Sequence, residues 1–186
     1  MSKWLKKTVP LKADRGWECR EGYKIFVADR GAVRFDIPSP WVIEPGKDGS
    51  VRLMDAAPPD DEWTLEMTIS DLNDEADWSG LSLPGLLGDV TAGSGQGESV
   101  LEQGEVVECG RDGMEAAWRE TGFLEQTQKR EAVSRTLLVR WSNIQPIFTF
   151  SFWKDDEDRQ REPWEEFVRT LNLGDYVEDP TQRVVD

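Results

Sequence analysis

Between Tyr23 and Ser70 apolar side chains recur at every second position, in runs separated by turn residues, which predicts half-buried β-strands. Tyr23, Ile25 and Val27 alternate with Lys24, Phe26 and Ala28. The segment Asp29-Arg30-Gly31 supplies a turn, after which Val33, Phe35 and Ile37 alternate with Ala32, Arg34 and Asp36. The pair reads as a hairpin, ended by Pro38 and Pro40 because proline donates nothing to a sheet ladder. A short strand is expected at Ser50–Met54, and a longer one where Trp63, Leu65, Met67 and Ile69 face away from Thr64, Glu66 and Thr68. Residues Trp78–Val90 have loosely helical apolar spacing interrupted by Pro84, Gly85 and Gly88, so a weak or broken helix is expected there.

From Glu105 the period of two returns. Val106–Cys109, a turn at Arg111-Asp112-Gly113, Glu115–Glu120 and Phe123–Gln128 read as a meander. Stronger strands follow at Ala132–Trp141 and Pro146–Lys154, with Leu137, Val139, Trp141, Phe148, Phe150 and Phe152 assigned to the core. Trp164, Phe167, Val168 and Leu171 then recur at helical spacing over Pro163–Leu173. Pro163 is expected in the first turn, Glu165 and Glu166 at the positive end and Gly174 at the C-cap. The order lacks β-α alternation, so the fold class is α+β: an antiparallel sheet of about six to eight strands, in a single pleated layer packed between helices as an α/β/α sandwich. Residues 1–20 read as a basic N-terminal arm, 21–174 as one domain and 175–186 as a polar tail, with Tyr176 and Val177 placed to tuck back.

The 186 residues, 38% apolar and 32% charged, suffice for one core. No apolar run is long enough for a membrane helix, and Met1-Ser-Lys-Trp-Leu-Lys-Lys7 lacks a secretory apolar stretch, so a cytoplasmic location is expected. The absence of histidine removes imidazole-based triads, proton shuttles and metal sites. Cys19 and Cys109 lack metal or redox spacing and are expected as buried thiols.

A net charge of −15 disfavours nucleic acid as a partner. Basic residues concentrate at the start, where Lys3, Lys6, Lys7 and Lys12 surround Trp4 and Leu5; this is a solvated tail or a short arm for an acidic or membrane surface. Nine carboxylates and no base lie between Asp55 and Asp77, and a second acidic run spans Asp155–Asp158. Neither fits a calcium loop: Ala76 and Ser82 replace the required Gly and Glu in one, and Arg159 occupies an oxygen-ligand position in the other. No metal and no cofactor are expected. The segment Gly93-Ser-Gly95-Gln-Gly97 lacks the strand-turn-helix context of a phosphate loop and reads as a flexible loop.

Trp41, Trp63, Trp118, Trp141 and Trp164 fall at core positions, whereas Trp4, Trp17, Trp78 and Trp153 lie beside charge. Trp153 next to Asp155, Asp156 and Asp158, and then Trp78, are the candidate recognition residues. The expected function is non-catalytic protein binding, with a basic or amphipathic segment as partner. The alternative is a small carboxylate-dependent hydrolase or carbohydrate-binding protein, with Asp71 and Glu120 as its acids.

Val33-Arg-Phe-Asp-Ile-Pro38 followed by Trp41, the segment Leu65–Ile69, Gly113-Met-Glu-Ala116-Ala117-Trp118, and Phe148–Trp153 leading into Trp164–Leu171 together resemble the PsbP, Mog-type and DcrB-like fold family. The resemblance implies an antiparallel sheet between helices and an accessory, binding or chaperone-like role without catalytic residues. Among its branches, the DcrB-like cytoplasmic chaperones of secreted or membrane-associated clients fit the expected location.

Overall fold

A computed structural model describes residues 17–46, 49–72, 80–94 and 99–176. In chain order the elements are β1 (Tyr23–Ala28), β2 (Val33–Pro38), β3 (Val42–Pro45), β4 (Val51–Met54), β5 (Thr64–Asp71), α1 (Leu83–Ser94), β6 (Ser99–Gln103), β7 (Val107–Glu108), β8 (Glu115–Glu125), β9 (Arg130–Arg140), β10 (Ile144–Trp153), α2 (Glu157–Thr170) and β11 (Asn172–Leu173). Eight strands form one antiparallel sheet in the order β3-β4-β5-β10-β9-β8-β6, with β7 also on β8. The long meander β8–β9–β10 is its centre, because each strand pairs with its sequence neighbour and needs only a tight turn. Register then aligns side chains in rows. Met67, Phe148, Leu137 and Trp118 lie side by side on one face, and Leu65, Phe150, Arg135 and Glu120 form the next row.

That face carries the main core, in which Phe148, Phe150, Phe152, Leu137 and Val139 are buried as expected and Trp141 is half-buried. The opposite face receives α1 through Leu83 and Leu87, which pack on Ala117 and Leu138. Helices therefore cover both faces, and the α+β sandwich holds. The first hairpin forms in the expected register, but it does not extend the large sheet. β1, β2 and β11 make a second, three-stranded sheet, which corrects the expectation of a single layer. The reason lies in β2, where Val33, Phe35 and Ile37 are buried on one side and Asp36 on the other. A strand covered on both sides belongs between layers. Phe35 meets Phe148 of the large sheet and Phe167 of α2, closing the two sheets around one aromatic core.

Helix α2 begins six residues before the expected Pro163, with Glu157 and Asp158 in its first turn where the helix dipole favours carboxylates. Pro163 lies inside the helix and removes one backbone hydrogen bond. Burial of Trp164, stacked on Phe150, and of Phe167, against Phe35 and Phe148, offsets that loss. Glu165 and Glu166 are accordingly mid-helix, and Arg169 grips Glu166 with two bonds of 2.6 and 2.9 Å. Nor does Gly174 cap the helix; it follows β11 and donates to the Ala32 carbonyl. The cap is Arg111, from a turn far away in sequence, whose guanidinium donates to the carbonyls of Val168 and Arg169 at 2.9 Å and to that of Leu171.

A cation on these terminal carbonyls satisfies groups the helix itself leaves open and complements its negative end. Arg111→Ala is expected to cost about 2 kcal/mol, the usual value for charge-assisted bonds. In a chain of this size that lowers the thermal midpoint by about 4–8 °C. An unchanged midpoint by circular dichroism would show that Arg111 does not hold the helix end.

Other differences are local. β3 follows directly on the prolines at 38 and 40, and β8 runs unbroken where two segments were expected, because Thr121 and Gly122 continue the ladder to β9. α1 starts at Leu83 rather than at Trp78 and includes Gly93 and Ser94; residues 95–98 of the expected loop, like Trp4, Trp78 and Val177, lie outside the described residues. Trp41 and Trp164 are buried, while Trp63, Trp118 and Trp141 are half-buried against the core. Cys109 is partly buried, but Cys19 is exposed ahead of β1, a correction to its expected burial. Residues 17–20 of the expected arm touch the domain through Arg34 stacked on Trp17 and through the Arg20–Glu162 ion pair. Among the described residues no helix is long and apolar enough to cross a membrane.

Candidate functional site

Where β6, β8 and β9 meet the turn after β10, the main-core face of the sheet extends beyond α2 and leaves a cleft of about 80 Å³. Its floor is low because Gly122 of β8 carries no side chain and lies opposite Val133. Its walls are Glu102, Glu120, Glu131 and Lys154. Alternation along each strand produces this grouping. Glu102 opposes Gly122, Glu120 opposes Arg135 and Glu131 is two residues from Val133, so all project on the same side.

Beneath the cleft Arg135 is nearly buried. Its Nε donates to Glu120 at 2.8 Å, and its guanidinium lies 5.1 Å from the Phe152 ring centre, 5.5 Å from Trp164 and 5.7 Å from Trp118. The ring faces replace part of the hydration that burial removes from the cation. At the rim the Lys154 ammonium holds Glu157 at 2.6 Å. That hydrogen bond raises the Lys154 pKa, with Glu120 and Glu102 adding to the rise, and the same bond lowers the pKa of Glu157. Glu120 and Glu157 are thus neutralised. Among the described residues Glu102 and Glu131, both exposed, have no ion pair, and the cleft keeps an excess of two negative charges.

Lys154 lies between two of the recognition candidates read from sequence. Trp153 is half-buried with Arg130 stacked 4.8 Å above its ring, and Arg130 also reaches Asp155 at 3.3 Å, so the indole is not a bare platform. Asp155 and Asp158 are 82% and 92% exposed, the latter paired with Arg161. Asp156 departs from the expected surface role. It is only 7% exposed, it ends a 3-10 turn that drives it inward, and it meets Arg159 at 2.8 Å. Trp78 lies outside the described residues.

The alternative acid pair is not brought together. Glu120 shares a row with Leu65, six positions before Asp71 and three strands away, which places the two backbones about 25 Å apart. A glycosidase pair requires less than about 10 Å. Among the described residues no group of three His, Cys, Asp or Glu is placed to hold a metal ion. A second, small space of about 10 Å³, bordered by Asp36, Trp41, Pro163 and Trp164, is the size of one water.

Sequence reasoning missed Glu102, Glu131, Lys154 and Glu157 as a group. The one local signal for the group is the Val-Leu pair inside Ser99–Gln103, which marks a strand.

The fold has solved counterparts. Cyanobacterial PsbP (CyanoP) from Synechocystis sp. PCC 6803 superposes with a TM-score of 0.57 at 13% identity, over 85% of this chain and 98% of that one. LpqN, involved in cell envelope biogenesis of Mycobacterium tuberculosis, gives a TM-score of 0.55 at 14% identity, over 81% of this chain and 90% of that one. At such identities the likeness establishes the fold, and it agrees with the family resemblance carried by the sequence. Protein alr1449 of Nostoc sp. strain PCC 7120 is 38% identical over 179 residues, which cover 96% of this chain and 91% of that protein. The Alr1449 family model matches residues 24–177, and the chain therefore belongs to the Alr1449 family, built on a PsbP-like fold.

Proposed function

We propose that this protein is a non-catalytic accessory module that binds a basic, amphipathic segment of a client protein in the cleft between β6, β8 and β9. The observation that carries this reading is the pair Glu102 and Glu131, without an ion pair among the described residues, at the mouth of a cleft whose other acids already have cations. An uncompensated negative rim attracts and orients positive side chains. Trp153 projects to the opposite face of the sheet with Arg130 stacked on it, and Asp155 and Asp158 are exposed beyond the cleft, so none of the three belongs to its lining. The role is chaperone-like: the cleft shelters the segment of a secreted or membrane-associated client before delivery. Two free thiols, one of them exposed, suit a reducing compartment such as the cytoplasm.

The test is titration of the full chain with a lysine-rich amphipathic peptide, followed by calorimetry, against a glutamate-rich peptide of equal length. Binding of the basic peptide alone is expected, weakening as salt rises because exposed charges are screened. The double variant Glu102→Lys/Glu131→Lys changes exposed positions and is expected to lower affinity at least tenfold. Equal binding of both peptides, or no effect of the double variant, would overturn the assignment.

A further inference from the structure

On the strength of the cleft function proposed above, we infer that the outer edge of β6 is the docking rail for the client segment, which adds to the large sheet as a further β-strand. β6 ends the strand order, and among the described residues no strand pairs with its outer side. Its backbone donors and acceptors there form a ready template. All five residues are exposed, including Val100 at 51% and Leu101 at 55%. The other end of the sheet is guarded differently. β3 is four residues long and ends in Glu44-Pro45, and proline blocks ladder pairing.

The chemistry of the occupant follows from the two sides of β6. Glu102 opposes Gly122 and faces the acidic cleft, whereas Val100 opposes Phe123 on the other side. A strand laid against this edge alternates its side chains in the same way. It therefore places Lys or Arg toward Glu102 and Glu131 and apolar residues toward Val100 and Phe123. The matching segment is extended, with alternating basic and apolar residues over about five positions, or about 16 Å. An irregularity between Val100 and Glu102 twists the edge. Such twisting discourages flat, indiscriminate pairing and favours a short partner that follows it.

The probe is an end-blocked peptide of alternating lysine and valine, titrated into the full chain with backbone amide NMR shifts as readout. The expected result is binding with the largest shifts at residues 99–103. Two further peptides keep every side chain and are N-methylated at alternate amides, one on the lysines and one on the valines. Only one set of amides faces the edge, so one peptide is expected to lose at least tenfold in affinity and the other to bind as the unmodified peptide does. Leu101→Lys, at an exposed position that leaves folding intact, is expected to give a comparable loss.

If both methylated peptides bind as tightly as the unmodified one, and Glu102→Lys/Glu131→Lys still abolishes binding, the edge pairing is wrong while the cleft function stands. If the unmodified peptide does not bind, both fail. If ultracentrifugation shows a dimer that Leu101→Lys dissolves, and no peptide binds, the occupant is a second copy of this chain and the inference is overturned.

Discussion

Phe35→Ala is expected to remove about 3–5 kcal/mol of folding stability, the usual range for deleting a fully buried phenyl ring. Phe35 is completely buried on β2, with ring centres of Phe26 and Phe167 at 4.9 Å and of Phe148 at 5.7 Å. Those partners come from the small sheet, from α2 and from the large sheet, so one truncation opens a void where three elements meet. The edge-on geometry of the Phe148 and Phe167 contacts adds to the area effect. Domains have total stabilities of about 5–15 kcal/mol, so this is a large fraction of the whole. Urea unfolding followed by tryptophan fluorescence measures it, and Phe35→Leu, which refills most of the volume, is expected to recover more than half. If the alanine variant does not fold, the leucine variant carries the comparison. A loss below about 1 kcal/mol, or separate transitions for the two sheets, would show that they do not share one core.

Gly31→Ala is expected to cost about 3 kcal/mol or more. Gly31 has φ of +98°, a region that side-chain-bearing residues avoid at about 1–2 kcal/mol. A Cβ there would also lie 2.1 Å from the Asp175 carbonyl oxygen, and a backbone atom cannot swing aside as a side chain can. Relief requires the returning C-terminal segment to move. That motion would break the β2–β11 pairing, the Gly174-to-Ala32 hydrogen bond and the 3.2 Å Arg34–Asp175 ion pair. A matched control is Gly88→Ala in α1, where an added Cβ meets nothing within 4 Å and helix propensity favours alanine by about 1 kcal/mol. Thermal melts of the two variants should therefore move in opposite directions. A Gly31 variant as stable as the parent would mean that the C-terminal segment does not close on this turn.

How much was legible depended on the range of the interaction. The β1–β2 hairpin, the β9 and β10 strands and the buried face of α2 follow from neighbours a few positions apart, and alternation or helical spacing exposes these directly. The sequence places the start of α2 at Pro163 because proline is a good first-turn residue locally, and only the burial of Trp164 and Phe167 explains its place inside the helix. Arg111 as the helix cap left no trace in the sequence, since a turn and a helix end more than fifty residues apart have no shared pattern. The same holds for the cleft. The local setting marks Trp153 and Asp155, whereas Glu102 and Glu131 come together only through the pairing of β6 with β8 and of β8 with β9.

By itself, the amino-acid order determined the antiparallel strands, the amphipathic terminal helix, the acidic field and the lack of any imidazole, because these depend on composition and on contacts along the chain. The tertiary structure alone decided that the first hairpin leaves the large sheet, that Asp71 and Glu120 stand far apart, and that, among the described residues, two carboxylates without an ion pair lie beside a strand edge with no partner. Those outcomes turn on which distant surfaces fit together, and side-chain packing settles that across separations on which no sequence period reports.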